Sequence, residues 1–384
     1  MKAIVYDNYG SPDVLRLEDI QKPIPGDDEV LVKVHAVSIN SWDWDTLTGK
    51  PFEYRFFNGF LKPKSTQLHG CDIAGEIEAV GKNVKQFKIG DPVFGDLAED
   101  GWGAFAEYTC ACENRLILKP SSMSFEQAAC LSHGGNLAVQ GLIDFGQIKS
   151  GQKVLINGGG GSTGSLAIQI AKLFDVEITA VDCTEKLDMM RTLGAEHVID
   201  YTKEDFTKKG QQYDLIFDVK TNRSPFDYKC VLSPNGIYVT VGGKTSRILQ
   251  LLIFQKLTRK HQMHMVGYKA NKDLRYLIEL FEAGKLKPAI DKCFSLEETA
   301  EAFRYFGKGC FKGKIVIKPD HSKKNCHHGE GPRKSRLLLN VKPDRHPASP
   351  ASLRLHRPGC ASFPQGDDHP PGEKPWSFWS RSSL

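Results

Sequence analysis

Four consecutive glycines, Gly158–Gly161, separate an apolar run from an amphipathic one in VLINGGGGSTGSLAIQIAKLF, which begins at Val154. Glycine loses more conformational freedom on folding than any other residue. Such a cluster belongs where the backbone must turn tightly or approach another surface closely. In register the loop reads Gly159-x-Gly161-x-x-Gly164, after a predicted strand and at the opening of a predicted helix that runs to Phe174. Gly159 then permits the tight turn, Gly161 lets backbone reach a pyrophosphate, and Gly164 lets helix and strand pack closely. The amides of Ser162 and Thr163 point from the helix N-terminus, where the macrodipole favours an anion. Asp182 closes the next predicted strand 18 residues after Gly164, near the spacing of an acid that binds a dinucleotide ribose. A connector that binds nothing is the competing reading, and the whole strand–loop–helix unit speaks against it.

The same rhythm continues. VEITAVD, HVID, DLIFDV and GIYVTVGG read as strands, with a helix to Leu193 between the first two. Alternating strands and helices predict a doubly wound parallel sheet over residues 124–267. Residues 1–123 have a different texture: VLVKVHAVSI, IAGEIEAVG and AFAEYTCA alternate with a period of two, between turns such as Pro25-Gly26 and Gly90-Asp91. They predict a β-barrel-like domain. Residues 268–319 hold an amphipathic helix, KDLRYLIELFEA, then a helix and the strand KGKIVIKP. They are expected to return to the first domain, so that the sheet domain is inserted in it.

Beyond Pro319 the pattern fails. Residues 320–384 hold 9 of the 20 prolines and 6 of the 12 histidines, with no sustained period, and read as a disordered tail. Cys326, His327 and His328 there could bind a metal or simply be solvated. The tail carries 11 Lys and Arg against 6 Asp and Glu, the whole net charge of +5. The body is therefore neutral overall, and nucleic acid is not an expected partner. No run reaches the roughly 18 apolar residues of a membrane span. MKAIVYDNYG reads as a first strand rather than a leader. Ten cysteines lack framework spacing, so free thiols and a cytoplasmic location are expected.

The stretches VKVHAVSINSWDW, HGCDIAGEIEAVGKNVKQFKIGDPVFG, VLINGGGGSTGSLAIQIAK, LGAEHVIDY, VTVGG and KGKIVIKP together resemble the medium-chain dehydrogenase/reductase superfamily, and more closely its zinc-independent quinone oxidoreductase (ζ-crystallin-like) branch. The resemblance covers residues 1–319. It implies an α/β fold, a Rossmann doubly wound sheet inserted in a GroES-like barrel. It also implies NADPH or NADH as cofactor and a small quinone or enone as substrate, with a homodimer possible. The superfamily's zinc alcohol dehydrogenases use three Cys/His/Cys ligands. The matching positions here are Asn40, Cys71 and, nearby, His133, and an amide is a poor zinc ligand. Only Cys110-x-Cys112 stands where a four-cysteine structural lobe would be. No metal is expected.

Without a Lewis acid, a conjugated acceptor suits hydride transfer better than a simple alcohol, and catalysis rests on positioning. The resemblance places Asn40 and Asp43 near the substrate pocket. Asn40 is expected to contact the substrate oxygen or nicotinamide ribose, and Asp43 either does likewise or stabilises a turn. Trp42, Trp44, Phe56 and Phe57 wall a planar substrate or fill the core. Val241, Gly242 and Gly243 are expected to approach the nicotinamide. Signals for cofactor choice conflict. Asp182 opposes a 2′-phosphate, whereas Lys186 and Tyr201 match the pair that holds one in quinone oxidoreductases. Two other readings stand beside the leading one: a zinc alcohol dehydrogenase with altered ligands, and a cofactor-binding protein with little turnover.

Overall fold

Alternating strands and helices after Lys153 close into one six-stranded sheet in which every neighbouring pair is parallel. The computed structural model describes residues 1–321, apart from 100–102, 244 and 258–261. The sheet uses the strands Lys153–Asn157, Glu177–Asp182, His197–Asp200, Tyr213–Asp218, Leu232–Thr240 and Gln262–Met265. Counted along the chain, their spatial order is 3-2-1-4-5-6. That is the Rossmann order, with its reversal between Lys153–Asn157 and Tyr213–Asp218. The chain direction changes sides there, and a crevice opens at the carboxyl ends of these two strands.

Five of the six strands carry the apolar runs legible in the sequence. The sixth, Gln262–Met265, has only Met263 buried among its four residues. So short and polar a segment gives no periodic signal. The helix Ser162–Ala171 follows the glycine loop, and a 3-10 turn carries the chain on to Phe174. Its Leu166, Ile168 and Ile170 are buried against the sheet, each contributing about 1.5–3 kcal/mol.

A second sheet of seven strands is mostly antiparallel. Its order runs Ile290–Ser295, Lys314–Lys318, Glu29–Ser38, Asp72–Val80, Pro92–Asp96 and Leu116–Leu118, with Tyr108–Cys112 also on Glu29–Ser38. Glu29–Ser38 sends Val30, Val32 and Val34 into a core with Ile73, Ile77, Val93 and Phe303. The closing strand returns across the chain: Val316 and Ile317 pair with Ser38 and Val37.

Between the sheets lies the helix Phe125–Val139, started by a capping box in which Ser124 Oγ accepts from the Gln127 amide at 3.2 Å. It packs on the strands Glu29–Ser38, Asp72–Val80 and Pro92–Asp96 and also on the loop helix Ser162–Ala171. The amphipathic helix Leu274–Glu282 turns Leu274, Leu277 and Leu280 into the same core as the parallel sheet. Seven cysteines are free among the described residues, and Cys112 is disulfide-bonded, a departure from the all-thiol expectation. The 320–384 tail expectation, with Cys326, His327 and His328, falls beyond Asp320 and His321 and lies outside the described residues.

Candidate functional site

The glycine loop sits at the crevice where the sheet order reverses. Gly158 turns with φ +90, and Gly161 N donates to Gly158 O at 3.2 Å, which folds the loop on itself. Each glycine then has its own reason. A Cβ on Gly164 would lie 2.1 Å from Gly158 O, so helix and loop touch backbone to backbone. One on Gly159 would meet Ala180 and Met190 at 2.9 Å. Gly161 differs: its φ is −88, and a Cβ there would meet nothing closer than Gly158 O at 3.6 Å. No protein atom needs Gly161 to be glycine, so the space in front of it is a cradle that a side chain would fill. Gly161 caps the helix, and the first intrahelical bond runs from Ser165 N to Gly161 O. The Ser162, Thr163 and Gly164 amides are left facing outward for an anion. This loop fits a dinucleotide pyrophosphate.

Asp182 ends its strand beside the loop, but both its oxygens are engaged. Oδ2 accepts from Gly160 N at 3.0 Å and Oδ1 from Cys183 N at 2.9 Å. Lys186 is fully buried, with Nζ 3.3 Å from Asp182 Oδ1 and 5.1 Å from the centre of the Phe311 ring. Its stem underlies the loop: a Cβ on Gly160 would clash with it at 2.5 Å. Tyr201 is half exposed and lines a cavity of about 130 Å³ with Asn157, Gly158, Val181, Asp182, Lys220 and Asn222. At the next strand end, Val241 N donates to Asp218 O at 3.3 Å. Gly242 and Gly243 hold φ of +139 and +137, which excludes larger residues.

Asn40 and Asp43 belong to a buried knot on the barrel side. Lys314 Nζ donates to Asn40 Oδ1 at 2.6 Å, Asp72 Oδ2 at 2.7 Å and Ser38 Oγ at 2.8 Å. Asn40 Nδ2 donates to Asp72 Oδ2 at 2.9 Å and to Cys71 Sγ at 3.3 Å. Asn40 is thus saturated inside the protein, with no free polar atom for a substrate. Asp43 accepts from Asn40 N at 2.7 Å and caps the helix Ser41–Thr48, the turn-stabilising alternative. Its other oxygen is buried without a partner.

Burial raises the Asp43 carboxyl to about 7. Its folded value exceeds the unfolded one of 3.8, so Asp43 costs stability increasingly as pH rises from about 4 to 7. Asp43→Asn keeps the capping acceptor and removes that cost. Its thermal midpoint relative to the natural protein should therefore rise between pH 5 and pH 8. A pH-independent difference would refute the assignment.

Of the four aromatics, Trp42 is partly exposed, its ring centre 5.3 Å from His133 and 6.4 Å from Tyr268. Trp44 packs on Phe306 at 5.9 Å in the barrel core. Phe56 is exposed in a cluster with Phe52 and Phe60. The Phe57 side chain lies outside the described residues.

Sequence reasoning missed Asp96 and Tyr268. His133 Nδ1 lies 2.8 Å from Asp96 Oδ2, which also accepts from the Tyr268 hydroxyl. Burial works against the charged imidazole, but the Asp96 carboxylate outweighs it and holds the His133 pKa above its usual value. The one available signal was an acid, Asp96, ending the apolar strand Pro92–Asp96.

The chain matches the pattern of an alcohol dehydrogenase GroES-like domain over residues 26–121 and that of a zinc-binding dehydrogenase over residues 193–317. It is 36% identical to 2-methylene-furan-3-one reductase of Solanum lycopersicum, over 83% of this chain and 79% of that one. It is 33% identical to the chloroplastic quinone-oxidoreductase QR1 of Triphysaria versicolor, over 83% and 98%. The chain belongs to the medium-chain dehydrogenase/reductase superfamily. Within that superfamily it superimposes on a quinone oxidoreductase from Coxiella burnetii with a TM-score of 0.73 and 30% identity, covering 83% of this chain and 99% of that one.

One matched family is a zinc-binding dehydrogenase, and the chain holds one buried group of possible zinc donors among the described residues. Cys71, Asp96 and His133 are buried with donor atoms within 4.8 Å of one another. They are the right kinds of ligand, yet they are already committed. Asp96 Oδ2 holds His133 and Tyr268, and Asp96 Oδ1 accepts from Ala98 N at 2.8 Å. Burial pushes the Cys71 thiol pKa well up. Asn40 aims an N–H at that sulfur. As arranged, the trio does not fit a catalytic zinc. Exhaustive chelation should leave activity unchanged; stoichiometric zinc lost and regained together with activity would overturn this.

Proposed function

We propose that the chain uses NAD(P)H to reduce quinones or α,β-unsaturated carbonyls without a metal. The observation that carries this reading is the open cradle at Gly161, at the switch point of a 3-2-1-4-5-6 sheet, facing outward amides. The names of the tomato and Triphysaria relatives support the substrate class. A nicotinamide cofactor supplies the hydride when bound. The chain's own residues do the rest. Ser162 and Thr163 amides, with Gly159, Gly161 and Gly164, hold the pyrophosphate; Val241, Gly242 and Gly243 let backbone approach the nicotinamide; Trp42 borders the planar acceptor.

Asn40 and Asp43 act in this reading as positioning residues. They fix the wall behind the pocket and do not touch substrate, because their hydrogen bonds run inward. Residues 1–123 with 268–319 serve as the substrate domain and 124–267 as the cofactor domain. The assembly is a homodimer and the location cytoplasmic. No helix among the described residues is long and apolar enough to cross a membrane. Cofactor oxidation measured against a panel of quinones, enones and simple ketones tests the reading. Turnover confined to the conjugated acceptors is expected; equal turnover of simple ketones, or none of any, would overturn it.

A further inference from the structure

Three polar side chains from three separate elements meet beside Trp42 and have no part in the reading above. Asp96 ends the barrel strand Pro92–Asp96, His133 stands on the helix Phe125–Val139, and Tyr268 follows the strand Gln262–Met265 of the parallel sheet. Asp96 Oδ2 accepts from His133 Nδ1 at 2.8 Å and from the Tyr268 hydroxyl. A carboxylate only accepts, so one imidazole proton is fixed on Nδ1 and the Tyr268 hydrogen is spent on Asp96. The other ring nitrogen, His133 Nε2, points away from that carboxylate. It has no hydrogen-bond partner among the described residues, although the side chain is only 6% exposed. Nor is it among the polar atoms that the fold closes off unpaired.

The group is tied to the cofactor cradle and to the acceptor wall. Gly134, next to His133 on the helix, leans on the cradle: a Cβ there would meet Ser162 Oγ at 2.8 Å and Thr163 N at 3.5 Å. Two residues before Tyr268, Val266 N donates to Thr240 O at 2.9 Å, beside Val241, Gly242 and Gly243. The imidazole lies edge-on to the Tyr268 ring at 4.7 Å and to Trp42 at 5.3 Å. We infer that His133 is the proton donor of the reduction, with Asp96 and Tyr268 as its positioning residues. This rests on the reductase reading above.

The step balances as follows. When hydride reaches the β-carbon of an enone, negative charge collects on the carbonyl oxygen. The Nε2–H bond of the imidazolium breaks, and its proton passes to that oxygen. The electron pair stays on a neutral imidazole, which water reprotonates, and the enol relaxes to the saturated ketone. Burial opposes the imidazolium charge and Lys314 works with burial. Asp96 outweighs both, helped by Asp72, whose Oδ1 accepts from His133 N at 2.7 Å. Cys71 and Asp43 are the other titratable groups nearby. The balance lifts the His133 pKa above its ordinary 6.5, so the donor form persists towards neutral pH.

NADPH consumption with cyclohexenone and with benzoquinone, followed between about pH 5 and 9, tests the role on the natural protein and three variants. In the natural protein kcat should fall on the alkaline side as the imidazolium is lost. His133→Gln keeps an N–H but cannot release its proton, so kcat should drop about a hundredfold and the alkaline limb should vanish. Asp96→Asn removes the charge that holds the imidazolium and should move the limb to lower pH. Tyr268→Phe, which removes only a hydroxyl, leaves more of the Asp96 charge bearing on His133 and should move it to higher pH. Binding of para-nitrophenol, read from the phenolate absorbance, tests the site without turnover. The natural protein should favour the phenolate about tenfold over His133→Gln. An undiminished kcat in folded His133→Gln, a limb unmoved in both other variants, or equal phenolate binding overturns the role of His133 and leaves the reductase reading standing. A natural protein that reduces neither acceptor overturns the reductase reading and this role with it.

Discussion

Gly161→Val should abolish nucleotide binding and leave the protein folded. The backbone at Gly161 has φ −88 and ψ −174, an extended conformation any residue adopts. Its Cβ would find only Gly158 O, at 3.6 Å, so the fold has room for the new side chain. The room is the cradle itself. Isopropyl carbons would stand where a pyrophosphate must come to reach the Ser162 and Thr163 amides. Valine is a poorer helix cap than glycine, by about 1 kcal/mol, so a small fall in thermal midpoint is expected. Gly164→Ala is the contrast. Its Cβ would be forced to within 2.1 Å of Gly158 O, so the helix must shift from the loop, at a cost of about 1–3 kcal/mol. Fluorescence titration with NADPH and NADH, alongside thermal unfolding without nucleotide, separates the two. Undiminished affinity in folded Gly161→Val would remove the loop from the cofactor site.

That contrast shows what a sequence carries. Gly159, Gly161 and Gly164 are spaced by local geometry, and a strand–turn–helix unit is local, so the loop was legible, although the turn itself falls on Gly158, at φ +90, and Gly159 instead packs against Ala180 and Met190. Asp182 ending its strand was legible for the same reason. What Asp182 does there was not, because its oxygens are claimed by Gly160 N, Cys183 N and Lys186 through a loop fold that spacing does not encode. Asn40 is the clearest case. Its position suggested a substrate contact, yet its amide is consumed by Lys314, 274 residues away, and by Asp72, 32 residues away. Likewise Asp96, His133 and Tyr268 meet across separations of 37 and 172 residues. Hydrophobic periods report which face of an element is buried, not which polar groups meet there. The helix Phe125–Val139 makes the same point for domains. It packs on strands of the seven-stranded sheet and on the helix Ser162–Ala171 of the parallel-sheet side, and nothing in its period assigns it to either.

Lys314→Ala should be the most damaging single change to stability. The lysine sits on the closing strand Lys314–Lys318 with its side chain 2% exposed, and Asp72 opposite it is at 0%. Three oxygens surround the ammonium, at 2.6, 2.7 and 2.8 Å, so its whole donor set is used. Removing it leaves the buried Asp72 carboxylate without a cation, held only by hydrogen bonds from Ser38 Oγ, Asn40 Nδ2 and the His133 amide, and frees Asn40 Oδ1. Breaking a buried pair from one side costs about 3–5 kcal/mol. Replacing both charges should cost less, so Lys314→Met with Asp72→Asn should recover part of the loss. The pH dependence has a definite sign. Burial opposes the Lys314 charge, but Asp72 outweighs it, and its pKa stands above the ordinary 10.5. A group raised in this way stabilises fully below its unfolded value and loses that contribution as pH climbs through the folded one. The gap between the natural protein and Lys314→Ala should therefore stay constant from pH 6 to about 9 and narrow only above about 10.5. Urea unfolding at several pH values measures it. A gap below about 1 kcal/mol, the range of an exposed pair, would mean that the ammonium is not buried as described. A double variant no more stable than Lys314→Ala alone would mean that the stranded charge is not what the single change costs.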